Sequence, residues 1–301
     1  MAPGLPDNPI AGWSGTTLTG EARPARSSRR SSRSGSADEW MGLASHGLRQ
    51  VSTILLALVV GICPLLVGSV HRPALIGLIS ATALALACAW LGERLRGNSL
   101  RGLQLSLFFL VMVLIPILQL VPLPSSLRRV IDSGGAGLLE NSPGGLPRFW
   151  PLSLDPISTW QEIGTAAAAM GVFMLAVHNV TSRRRRMWVL NAVAAAGLFA
   201  VISGLAHRVF GIDRLYGVFS VFGGVLPGPF INANHSAEFY ELTAFVTLAL
   251  ALEAEAEVRI GWYVAAGLSA AAALTTLSRG SLLGLLAGAT AFLFFRRRVG
   301  T

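Results

Sequence analysis

The sequence predicts an all-α fold: a polytopic integral membrane protein with about eight transmembrane helices. Three observations carry that prediction. Hydrophobic residues make up 52% of the 301-residue chain and charged residues only 13%, against about 25% charged in a soluble domain; the mean hydropathy is +0.59. Eight apolar runs approach the roughly 20 residues that cross a hydrocarbon core of about 30 Å. The 24 basic residues, all arginine, sit in short clusters between those runs and not along one face. That distribution argues against nucleic acid as a partner despite a formal net charge of +9.

Residues 1–48 come first. They are rich in Ser, Gly, Pro and Arg (ARSSRRSSRSGS) and hold too few apolar groups to offset the entropy of ordering, so the expectation is a disordered basic cytoplasmic tail. Such a tail gains about 1 kcal/mol per arginine near anionic lipid. Met41 is a second candidate start, and the long charged stretch with no A-x-A-like site argues against a cleaved leader. The membrane domain then runs over 49–301. Its apolar segments are Val51–Val70, Pro73–Gly92, Leu103–Val121, Ile163–Val180, Met187–Ala206, Ala237–Leu252, Ile260–Leu277 and Ser281–Phe295. Pro64 and Pro116 fall inside the first and third, where kinks are expected and not breaks. Cys63 and Cys88 both lie in apolar segments and read as packing residues.

Orientation follows from the arginines, which are retained near helix ends on the cytoplasmic side. With the N-terminus inside, 17 arginines fall on the cytoplasmic side and 7 outside. Both termini are therefore expected in the cytoplasm. The run Arg183–Arg186 is fully explained as part of that signal.

Two outside connections are long, 122–162 and 207–236, and loops beyond about 12–15 residues are usually functional or disordered. The first carries Trp150 and Trp160, which fit a segment lying at the headgroup interface. The second holds His207, Arg208, Asp213, Arg214, Tyr216, a Gly/Pro turn, and then GPFINANHSAEFYEL at 228–242. Asn232, Asn234, His235 and Glu238 thus crowd the mouth of an apolar helix. A mid-membrane carboxylate costs about 2.5–3.5 kcal/mol on insertion scales, so Glu238 and Glu241, three apart on one helix face, are expected to stay wet or face a polar cavity. Two readings stand: a binding site, or a helix start capped by Asn234 or Ser236 with Glu238 answering the dipole.

Arg279, in LTTLSRGSLLGLLAG, lies in an outside turn against the arginine trend. It fits two-pronged binding of a phosphate or a snorkelling anchor at the interface. Gly280, Gly284 and Gly288 recur every four residues behind it and predict close helix packing.

The pairing of GPFINANHSAEF with LTTLSRGSLLGLLAG, preceded by RFWPLSLDPISTWQE, resembles the O-antigen ligase and polymerase family of bacterial envelope glycosyltransferases. The resemblance covers about residues 148–298. It implies a bacterial inner-membrane protein that takes a polyprenyl-diphosphate-linked glycan donor at the outer face and transfers the glycan to a lipid or glycan acceptor. No nucleotide sugar, metal or other cofactor is implied. By position, Arg279 would clamp the donor diphosphate, while Asn232, Asn234 and His235 would line the same cavity, with Glu238 beside them. Family members continue into a large outside loop bearing the histidine that activates the acceptor, whereas this sequence ends at FRRRVGT. The resemblance therefore implies a chain truncated before its catalytic loop. A transporter, or a non-catalytic part of envelope glycan assembly, are the readings from other classes.

Overall fold

A computed structural model describes residues 28–69, 71–100, 106–212, 214–220 and 228–299. Helix accounts for 79% of it, so the all-α expectation holds. The chain divides into two units, Met1–Trp40 and Met41–Thr301. In the first, the described residues are helical from Ser28, where α1 (Ser28–Ile62) begins. The tail expected to be disordered is therefore helical over 28–48, and the remainder of that expectation lies outside the described residues.

Each of the eight apolar runs contains an α-helix among its described residues. After α1 come α2 (Arg72–Arg94) and α3 (Ser106–Gln119); then β1 (Pro122–Pro124), α4 (Ser125–Ile131), α5 (Ser133–Glu140) and β2 (Phe149–Pro151); then α6 (Pro156–Asn179) and α7 (Arg183–Val209). The chain finishes with β3 (Arg214–Leu215), β4 (Phe219–Ser220), α8 (Ala233–Glu253), α9 (Ala256–Thr275) and α10 (Arg279–Val299). Five helical stretches are long and apolar enough to cross a membrane: Asp38–Leu65, α2, α6, α7 and α9. The run at α3 is shorter, and α8 carries glutamates at both ends.

Pro64 ends α1 instead of kinking it. Proline has no N–H and its ring collides with the carbonyl four residues back, so α-helix stops at Ile62 and the chain continues as 3-10 turns over Cys63–Leu65 and Val67–Ser69. Pro73 sits in the first turn of α2, where a missing N–H costs nothing. The start of α6 is fixed by Asp155, whose side chain accepts from the amides of Ile157 (3.1 Å) and Ser158 (3.2 Å).

Long-range contacts gather helix ends into two groups. At one end, Arg49 donates to the His178 carbonyl and to Thr181 Oγ1 (both 3.1 Å), Arg96 Nε donates to Ser45 Oγ (2.8 Å), and His178 Nε2 lies 3.4 Å from Glu93. Asn179 Nδ2 donates to Ser52 Oγ (2.8 Å), which donates to the Ala85 carbonyl (2.8 Å). These bonds tie α1 to α2 and α6 and to the turns that follow them, while Asn179 Oδ1 is buried with no hydrogen bond among the described residues. They also show that 41–48 is an integral part of the bundle. At the opposite end, Tyr216 donates to the Leu65 carbonyl over 2.6 Å.

The connection 122–155 has structure of its own. β1 and β2 pair antiparallel, with Leu123 opposite Trp150, and α4 and α5 fold between them. Arg128 is fully buried there, donating to Asp132 (3.2 Å) and to the Leu152 carbonyl (3.1 Å). Trp150 is drawn into the ladder with a buried indole nitrogen, and only Trp160, on α6, stays exposed as an interface ring would.

Small residues let α8 lie close to its neighbours. A Cβ at Gly197 of α7 would run into Thr243 of α8, and those at Gly284 and Gly288 of α10 would run into Glu241 and Phe245. Two of the three glycines expected to pack therefore do so. A Cβ at Gly280 would meet only Ser278 Oγ, at 3.7 Å, so its place in the repeat has no packing role.

Candidate functional site

The approach to α8 is set by Gly228, Pro229 and Phe230. Gly228 has φ 48°, and a Cβ there would strike the Tyr240 hydroxyl and come within 3.3 Å of the Ala200 carbonyl. Only glycine fits both the left-handed backbone and the gap. Phe230 then packs edge-to-face on Phe239, with ring centroids 5.4 Å apart. This anchors the residue that starts the helix. The cap is Asn232, whose side-chain oxygen accepts the Asn234 amide at 2.9 Å; neither Asn234 nor Ser236 fills that role. Asn232 Nδ2 makes no hydrogen bond to described residues.

Beyond the cap opens a cavity of about 940 Å³. Its polar rim is Asn232, His235 and Glu238 from the α8 mouth, with His71 from the turn before α2. Its wall is apolar, with Val59 and Val60 of α1, Leu78 of α2, Val172 of α6, and Phe239 and Leu242 of α8. His235, Glu238 and Leu242 recur at helical spacing, so one stripe of α8 supplies the rim and part of the wall. His235 Nδ1 and Glu238 Oε2 are 3.6 Å apart, an ion-pair distance and not a hydrogen bond, and both side chains are largely exposed.

The far wall is strained. Val67 is buried and lines the cavity at φ 55°, a genuine outlier for a β-branched residue. Tyr216, at φ 51°, is the residue whose hydroxyl holds the Leu65 carbonyl two positions before Val67. Burial pushes the Tyr216 phenol above its ordinary pKa, which keeps it a hydrogen-bond donor. The β3–β4 hairpin is thus tethered to the cavity wall.

The structure brings Asn232, His235 and Glu238 together and leaves two other expected site residues out. Asn234 is exposed and Arg279, the first residue of α10, is exposed after a turn at Leu277 (φ 56°); neither lines the cavity. Glu241 was expected to share the Glu238 face and remain wet. Three residues advance a helix by about 300°, a 60° offset, and that rotation turns Glu241 onto Gly284 of α10 with one oxygen buried. Asp213 and the turn residues 221–227 lie outside the described residues. Sequence reasoning missed His71 and Val67. Their only signal was an outside-turn histidine two residues before a proline, which nothing local connects to a helix more than 160 positions away.

Comparisons with protein-family models, with curated proteins and with solved structures return no match. Fold and site together define a class: a helical protein with several membrane-length apolar helices and a large apolar-walled cavity under a polar rim.

Proposed function

We propose that this chain is a membrane protein of the O-antigen ligase type, which binds a polyprenyl-diphosphate-linked glycan and passes the glycan to a lipid or glycan acceptor. It crosses the bacterial inner membrane eight times with both ends in the cytoplasm, and the cavity opens at the outer face. The observation that carries this reading is the cavity itself: a branched hydrocarbon suits its valine and leucine wall, and a polar headgroup suits its rim. The imidazole of His235 and the side-chain amide of Asn232 are rim donors suited to a diphosphate there. In the transfer, the acceptor hydroxyl forms a bond to the sugar C1 as the C1–O bond to diphosphate breaks and the electron pair leaves with the diphosphate. The acceptor hydroxyl's proton passes to water as that bond forms. Arg279 stands outside the cavity, so a diphosphate clamp by that residue has no support from this geometry.

The test is saturable binding of a polyprenyl-diphosphate oligosaccharide to the purified chain in detergent. His235→Ala and Asn232→Ala should each weaken it by roughly 10- to 150-fold, the size of one hydrogen bond to a charged group, while Arg279→Ala should not. Absence of saturable binding, or a loss confined to Arg279→Ala, would sink the proposal.

A further inference from the structure

At the end of the bundle opposite that cavity, a second, smaller cavity of about 150 Å³ lies between α1 and the start of α7. His46 and Gln50 of α1 line it, with Ser182, Arg184, Arg185 and Trp188. We infer that it is a phosphate site occupied by the headgroup of an anionic phospholipid. The phosphate site rests on the cavity and its charge, and the lipid as its source rests on the membrane placement proposed above.

Four consecutive arginines are divided here by their partners. Arg183 and Arg186 lie 3.6 and 3.7 Å from Glu253 at the end of α8, so one carboxylate is shared between them. Arg184 stacks over the Trp188 ring, 5.1 Å from its centroid, and Arg185 NH1 donates to the Asn179 carbonyl at 3.3 Å. The two cations that face the cavity therefore have no carboxylate within ion-pair reach among the described residues, and no acid lines the space. Gln50 Nε2 donates to His46 Nε2 over 3.1 Å and keeps its second amide hydrogen as a further donor at the cavity. A cavity of about 150 Å³ has room for a phosphate group. Guanidinium is the side chain whose planar fork matches that group, and stacking on Trp188 holds one fork in place beforehand.

The position along the bundle selects a lipid as the source. α8 runs from the cap at Asn232, on the first cavity, through 21 residues to Glu253, which pairs with Arg183 and Arg186 next to the second, or about 30 Å at 1.5 Å per residue. That is the thickness of a hydrocarbon core. A rim at one headgroup layer puts Arg184 and Arg185 at the other, where Trp188 also belongs.

The test uses the full chain in neutral-detergent micelles doped with phosphatidylglycerol or phosphatidylcholine, or in buffer with inorganic phosphate alone. Retained lipid is read by native mass spectrometry and the unfolding midpoint by heating. Phosphatidylglycerol should be retained and raise the midpoint, and phosphatidylcholine should do neither. The double variant Arg184→Gln/Arg185→Gln should lose about thirtyfold in apparent affinity, and Arg184→Gln alone, which breaks no hydrogen bond to the protein, about fivefold. Arg259→Gln is the control, because Arg259 belongs to the same end of the bundle but donates to the Ala254 carbonyl. Equal binding by wild type and variants, or an equal loss in Arg259→Gln, overturns the site. An equal midpoint rise with inorganic phosphate alone overturns the lipid assignment.

Discussion

Replacing Gly197 by alanine tests the helix contact that fixes α8, and with it the rim of the large cavity. The added Cβ would lie 2.6 Å from Thr243 Cβ and closer still to its hydroxyl and methyl. Favourable carbon contacts begin near 3.5 Å, so the helices must separate by about 1 Å or Thr243 must turn. Thr243 is fully buried and its hydroxyl donates to the Phe239 carbonyl at 2.7 Å, so turning breaks a hydrogen bond. Overpacking of this kind costs about 1–3 kcal/mol, a five- to 150-fold fall in the folding equilibrium. Gly267 of α9 supplies the comparison, since nothing lies within 4 Å of a Cβ built there. Gly267→Ala should be neutral or stabilising by up to about 1 kcal/mol through helix propensity. Both are measured by reversible unfolding in mixed detergent–SDS micelles. If Gly197→Ala unfolds at the same SDS fraction as Gly267→Ala, the close α7–α8 contact is wrong.

Two further predictions concern helix starts. Asn232→Ala should destabilise by about 1 kcal/mol through loss of the α8 cap, and Asn234→Ala by close to nothing, because only the amide of Asn234 takes part in the cap; unfolding of the two variants side by side decides it. The Asp155 carboxyl is held below the usual carboxylate range by hydrogen bonds from the Ser158 hydroxyl and then the Ser158 amide, with desolvation opposing them and the Ile157 amide adding least. A depressed folded value means its stabilisation is present above the ordinary carboxylate pKa and disappears as pH falls through the lower folded one. Stability should therefore decline on acidification in wild type, and the part of that slope due to Asp155 should vanish in Asp155→Asn, whose midpoint measured across the acid range provides the check.

Part of the site could be read from the linear sequence because its parts are local. Asn232, His235 and Glu238 share seven residues of one helix mouth, and their polarity before an apolar run marks them without knowledge of any partner. Arg279 was equally conspicuous by composition. Its position relative to the cavity depends on the turn at Leu277, which local patterning does not encode. The arginine run at 183–186 shows the opposite failure: a topology signal explains all four residues alike, while their neighbours treat them differently.

Apolar runs of about 20 residues determined where most of the long helices fall, since a helix bonds its backbone groups within its own segment. That is a local requirement, and the sequence states it. The tertiary structure alone decided where α1 yields to Pro64, which face of α8 meets α10, and that His71 and Val67 join residues more than 160 positions later around one cavity. Those outcomes turn on the rotation and spacing of neighbouring helices. A 60° offset moves Glu241 from the cavity to Gly284, and the missing Cβ atoms at Gly197, Gly284 and Gly288 set how near the helices come.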